Sequence, residues 1–183
     1  MGTTDAAWPA DVEFVEYVRA RQHTLLRGAY LVCADLQLAE QLLEAALVTL
    51  ARHWDEVRDE QPDLEVRRVL YRSAVSSWGR RAHDPGVEAV RDEAAIADDE
   101  AQPAETVDTD EAVQRRDVLH ALDGLTPLQR AAVVLRHLDD RTERDTAQIL
   151  GVPVATVARE TEAAVARLRV ALPRVDLETG WTR

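Results

Sequence analysis

Apolar residues recur at helical spacing along most of this chain, and the recurrence breaks in only a few places. From Asp11 to about Val32 the positions Val15, Val18, Leu25, Leu26, Ala29 and Tyr30 share one side of a predicted helix. A second stripe, Leu38, Leu42, Leu43, Leu47, Leu50 and Trp54, predicts a helix from Asp35 to Trp54. Pro62 stands where a third begins, a position that tolerates a missing N–H, and that helix runs to about Arg81. On a wheel of 100° per residue, Val66, Val69, Leu70, Ser73, Ala74 and Ser77 lie on its core side, with Arg68, Tyr71, Arg72, Val75 and Trp78 opposite.

After a patternless stretch the periodicity returns. Asp110 is placed to cap a helix to about Leu122. In "GLTPLQR", Thr126 reads as an N-cap and Pro127 as the first helical residue of a helix to about Leu138. Thr142 with Asp145 opens a short helix, "ERDTAQIL"; Gly151 ends it, Val152 and Pro153 turn the chain, and a last helix reaches about Leu172. A short helix, a glycine turn and a longer helix form a helix-turn-helix pattern. The last helix is expected to bury Val154, Val157, Ala158, Thr161, Val165 and Leu168, and to turn Thr156, Arg159, Glu160, Ala163 and Arg167 outward, with Glu162 on the flank. The predicted fold class is all-α: two small helical domains joined by a flexible acidic linker, the second a helix-turn-helix.

Charge sharpens the division. The 183 residues carry a formal net charge of −12, which argues against a simple nucleic-acid binder. The charge is uneven, however: residues 1–83 hold 10 arginines against 13 acids, 84–117 hold 3 against 12, and 118–183 hold 9 against 9. The middle segment lacks aromatics and cannot bury enough apolar surface to offset its ordering entropy. The chain therefore divides into 1–83, a linker at 84–109, a second domain at 110–174 and a tail at 175–183 containing Trp181. The linker serves as a solvated tether or as an acidic mimic of nucleic acid lying over basic faces. From Val66 to Ala82 five arginines and no acid accompany Tyr71 and Trp78. Arginine with aromatic rings suits a single strand, whose phosphates need cations and whose bases need a stacking surface; packing of the two rings on a neighbouring helix is the other reading.

Other chemistry is sparse. Every basic residue among the 22 is arginine, and Cys33 is the only cysteine, so no intrachain disulfide can form. The five histidines show no metal-ligand spacing, and no cofactor is expected. No phosphate loop, Ser-His-Asp arrangement or helix-borne histidine pair points to an enzyme. No apolar run approaches the roughly 18 residues of a membrane span, and the N-terminus lacks the basic start and apolar block of a signal peptide, so a cytoplasmic location is expected.

The string "RAAVVLRHLDDRTERDTAQILGVPVATVARETEAAVARLR" resembles the carboxy-terminal domain of the extracytoplasmic-function (group 4) sigma factors of the sigma-70 family. "LLRGAYLVCADLQLAEQLLEAAL", "HWDEV" and "VRRVLYRSAVSSWGRR" resemble that family's first domain, in the same order, and the nearest look is to its actinobacterial SigE-like members. The resemblance implies a protein that binds core RNA polymerase and directs it to promoter DNA, with an anti-sigma factor as a further partner. By position it assigns polymerase docking to Leu38, Glu40, Gln41, Leu42, Leu43 and Glu44, within Leu38 to Ala46. Melting and reading of the −10 element fall to Arg68, Tyr71, Arg72, Trp78, Arg80 and Arg81. Reading of the −35 element falls to Thr156, Arg159, Glu160, Ala163 and Arg167, and the linker would run near the polymerase's active-site channel. Two strings depart from the family: Gln41 and Ala45 replace the Asp and Glu of its "DLVQE"-like docking string, and "ARETEA" stands where basic residues are common. The other reading is a sigma-like protein that has lost promoter reading or core docking and acts as an adaptor or antagonist; an unrelated helical regulator or enzyme is a third.

Overall fold

The computed structural model describes residues 12–81 and 110–172, with side chains for 12–77 and 117–172. The linker and tail expectations, and that for Trp181, lie outside the described residues. Among the described residues eight α-helices follow one another: α1 (Val12–Cys33), α2 (Leu36–Arg52), α3 (Trp54–Val57), α4 (Pro62–Arg81), α5 (Asp110–Asp123), α6 (Pro127–Val133), α7 (Glu143–Leu150) and α8 (Val154–Ala171). Among the described residues there is no strand, and no helix is long and apolar enough to cross a membrane.

Local chemistry explains the boundaries. Asp35 caps α2 by accepting from the Leu38 N–H at 2.8 Å. Thr126 and Gln129 complete a reciprocal capping box at the start of α6, with Pro127 in the first turn. Thr142 accepts from Asp145 N–H at the start of α7, and Gly151 ends that helix in the left-handed region at φ 72°. The helix predicted to run to Leu138 instead changes at Val133: residues Val134–Leu138 form a π-helical turn closed by Asp139 N–H to Val134 C=O at 3.0 Å. The long second helix predicted to Trp54 breaks at His53, and Trp54 begins α3. There its ring meets Phe14 edge-on at 5.2 Å.

The two halves share one of two hydrophobic cores. One core, with Phe14, Leu25, Leu43, Leu50, Trp54 and Leu70, lies among α1 to α4. The other begins at the end of α1, with Leu31, Val32 and Cys33, takes Tyr71 and Ala74 from α4, and continues through Leu122, Leu135, Ile149, Ala164 and Leu168 of the second half. The central helix α4 is thus buried on two sides. Its buried positions, Val66, Arg67, Leu70, Tyr71, Ala74 and Ser77, span a wider arc than the core side predicted from the wheel. A second layer of helices covers part of the face expected to be open.

Candidate nucleic-acid interface

The arginine-rich face of α4 is engaged with the second half of the chain. Arg67 is 2% exposed and donates from Nε to Oδ2 of Asp139 at 2.8 Å. The Tyr71 hydroxyl donates to the same oxygen at 3.2 Å. The π-helical turn delivers Asp139 to this spot, and Gly28 of α1 leaves room for the phenol: a Cβ there would lie 2.2 Å from the Tyr71 oxygen. Arg67 also pairs with Asp63 at 3.0 Å, and Arg141 reaches across to Asp63 at 3.0 Å. Tyr17 donates to the other Asp63 oxygen at 3.1 Å. Burial would raise the Asp63 pKa, but Arg67, Arg21, the Tyr17 hydroxyl and Arg141 together hold it below the ordinary value. Burial likewise disfavours the Arg67 charge, and Asp139 and Asp63 outweigh it, so Arg67 is held charged more firmly than usual. Burial, then Asp139, pushes the Tyr71 hydroxyl well up.

Arg72 is exposed along its flank and makes a different link. It donates from Nε to the Ile149 carbonyl at 2.9 Å and from Nη2 to the Gln148 carbonyl at 3.0 Å, so it caps the carboxyl end of α7, where the helix dipole favours a cation. Gly151 lies against the guanidinium; a Cβ there would be 2.9 Å from Arg72 Nη2. Arg68 pairs with Glu65 on its own helix. Of the residues assigned to −10 reading, Arg68 and Arg72 are therefore at the surface, whereas Tyr71 is wholly buried and presents no stacking face in this arrangement. Expecting Tyr71 on an open face is corrected by the helices packed over it. The side chains of Trp78, Arg80 and Arg81 lie outside the described residues.

In the helix-turn-helix, α8 sits slightly rotated from the wheel reading. Val157, Ala164 and Leu168 are buried, while Val154, expected inside, is 45% exposed, and Ala158, Thr161 and Val165 are half-buried. The helix packs on α6 and α7 at once, which centres its core side on the 157, 164, 168 series. Arg159, Glu162, Ala166 and Arg167 are exposed, and Thr156, Glu160 and Ala163 are half-buried. The glutamates exchange places: Glu162 faces out, and Glu160 lies on the flank toward α6, where it accepts from Gln129 Nε2 at 3.0 Å. Its other oxygen accepts from Arg159 Nη2 at 3.0 Å and Nε at 3.3 Å. The Gln129 hydrogen bond first, then Arg159, lowers the Glu160 pKa. Arg167 donates to Gln129 Oε1 at 3.0 Å and to the Gly124 carbonyl at 3.2 Å.

On α2, Glu40, Gln41 and Glu44 are exposed, Leu38 and Leu42 half-buried, and Leu43 is 8% exposed in the first core. Of the residues assigned to docking, three thus form a polar edge open to a partner, and Leu43 supports it from beneath. Arg67, Asp63, Asp139, Arg141, Gly28 and Gln129 were missed from sequence. Two local signals were available, the capping-box spacing of Thr126 and Gln129 and the i, i+4 spacing of Asp63 and Arg67; the other contacts run across the chain.

The architecture is a helical layer that sets an arginine-rich helix against a helix-turn-helix. Residues 115–168 match the model of sigma-70 region 4. The chain is 35% identical over 169 residues to an RNA polymerase sigma-E factor of Streptomyces avermitilis, covering 91% of this chain and 89% of that one. It is 34% identical over 170 residues to the sigma-E factor of Streptomyces coelicolor, covering 91% and 90%. A solved structure of the sigma factor RpoE with the anti-sigma factor NepR, from Bartonella quintana, shares the fold with a TM-score of 0.61 at 21% identity, over 90% of this chain and 99% of that one. The chain belongs to the extracytoplasmic-function sigma factors, which act in transcription initiation.

Proposed function

We propose that this chain brings core RNA polymerase to promoters, in the cytoplasm, with residues 1–83 docking and reading the −10 element and 110–174 reading the −35 element. The observation that carries this reading is that the likeness to sigma-E factors runs through 91% of the chain, so it takes in both halves and not the helix-turn-helix alone. Docking uses the polar edge Glu40, Gln41 and Glu44 of α2, with Leu38 and Leu42 at its border. A melted −10 strand is held by Arg68 and Arg72, followed by Trp78, Arg80 and Arg81. Upstream duplex is gripped by α8 through Arg159 and Arg167, flanked by Thr156 and Ala163. No bond is made or broken by this chain; nucleotide addition is the polymerase's chemistry.

The packing of the halves bears on this grip. Arg72 spends Nε and Nη2 donors on the Ile149 and Gln148 carbonyls and keeps its Nη1–Nη2 edge for a phosphate, so the −10 strand meets a guanidinium that α7 already holds in place.

Reconstitution tests the proposal. Purified protein is mixed with core RNA polymerase, separated by size and supplied with a genomic fragment library. Co-elution with discrete transcript starts, lost when Arg68 or Arg72 is changed to Ala, is the expected result. Co-elution without transcripts would mean the chain docks without reading promoters, and failure to co-elute would overturn the proposal.

A further inference from the structure

The Gln129 side chain joins two helices that the sequence alone keeps apart. It is 5% exposed, and every polar atom of its amide is used. Oε1 accepts from the Thr126 N–H at 3.2 Å and from Arg167 at 3.0 Å, and Nε2 donates to Glu160 at 3.0 Å. Glu160 in turn holds Arg159, an outward cation of α8 whose side chain is 73% exposed against 18% for Glu160. Both Glu160 oxygens are therefore occupied within the protein, and a carboxylate so committed is a poor acceptor for a base amino group. The contact takes the Nε and Nη2 side of the Arg159 fork and leaves the Nη1–Nη2 edge, whose two donors match the O6 and N7 acceptors of guanine.

Resting on the proposed promoter reading, we infer that Gln129 and Glu160 are positioning residues for base readout: they hold Arg159 as a pre-set guanine reader, and Glu160 itself reads no base. A free arginine side chain samples many rotamers and must lose that freedom on binding. Bracing it beforehand lowers the cost for the matched sequence, in which the guanidinium meets a guanine, and so raises discrimination at that one position. The hydrogen bond from Gln129, then that from Arg159, favours the charged form of the brace.

The capping box offers a clean test, because its third helical position accepts Glu as well as Gln. Gln129→Glu keeps the acceptor for Thr126 and Arg167 but sets a carboxylate against Glu160, breaking the link. Glu160→Gln added to it restores a donor facing residue 129 and an acceptor facing Arg159. Core RNA polymerase is loaded with each variant, and transcripts are sequenced from promoters randomised in the upstream element, with thermal melting confirming the fold. Arg159→Ala should flatten the preference for guanine at one position by on the order of tenfold. Gln129→Glu and Glu160→Ala should flatten the same position to a similar degree, and the exchanged pair should recover it. A uniform fall across all sequences, or an unchanged preference in Gln129→Glu and Glu160→Ala, would overturn the inference and leave the network as helix packing. If the wild-type protein selects no promoter at all, the promoter reading itself fails and this inference falls with it.

Discussion

Changing Asp139 to Ala removes the one carboxylate that meets α4 from the π-helical turn, and its cost can be worked from the contacts. The Asp139 side chain is 0% exposed and Arg67 2%. Deletion leaves Arg67 with Asp63 alone, at 3.0 Å, and strips the Tyr71 hydroxyl, wholly buried, of its acceptor. Breaking a buried pair by removing one partner costs about 3–5 kcal/mol. Asp63 retains part of the pairing, which places the charge contribution near about 3 kcal/mol, and the orphaned hydroxyl adds about 1 kcal/mol. The total, about 4 kcal/mol, is a large share of the roughly 5–15 kcal/mol that holds a domain folded. Urea denaturation followed by far-UV circular dichroism, at neutral pH, should show the midpoint fall by about 2 M for a slope of about 2 kcal/mol/M. Hydrogen exchange should quicken first in α7 and the facing turns of α4. Asp139→Asn, which keeps the shape and one acceptor, should lose about half as much. A midpoint within about 0.3 M of wild type for the Ala variant would refute the idea that this carboxylate ties the halves together.

Gly28→Ala should cost about 2–3 kcal/mol, since the new Cβ would sit 2.2 Å from the Tyr71 oxygen; adding Tyr71→Phe removes that oxygen, and the double variant should be less destabilised than the sum of the singles, as a denaturation cycle will read. Asp63 has a lowered pKa, so the stability it supplies is full above the ordinary carboxylate value and is lost only as pH falls through the lower folded value. In an acid titration of the unfolding midpoint, Asp63→Asn should therefore flatten the limb below about pH 4, and a limb as steep as wild type's would count against the assignment. Gly151→Ala should cost about 1–2 kcal/mol from its φ of 72°. That loss should persist in an Arg72→Ala background, separating backbone strain from the contact with the guanidinium. Thr126→Ala should lower stability by about 1 kcal/mol through the lost cap, measured by thermal melting.

Much of the helix map was legible because its signals are local. Thr126, Pro127, Thr142 and Gly151 act on backbone groups within four residues of themselves, so their effect survives whatever the rest of the chain does. The stripe of α1 is less exact, because that helix feeds both cores: Val15, expected on its apolar side, is 39% exposed and Phe14 is buried in its place. Where a helix faces two neighbours the wheel misplaced the boundary: α4 buries Arg67 and Tyr71 beside its predicted core side, and α8 turns Glu162 outward and Glu160 toward α6. A period of 3.6 residues identifies a helix but does not say how wide an arc its neighbours will cover.

The sequence by itself determined an all-helical chain, a helix-turn-helix with its glycine turn, the concentration of negative charge between the halves, and, through its strings, kinship to sigma factors. Only the tertiary structure decided that α4 carries its cations against the second half, that Asp139 answers Arg67 across 72 positions of chain, and that Glu160 braces Arg159. Capping and periodicity are short-range and additive along the chain, whereas a buried charge is stable only where a partner arrives from elsewhere in the fold. Which partner arrives depends on how the helices pack on one another.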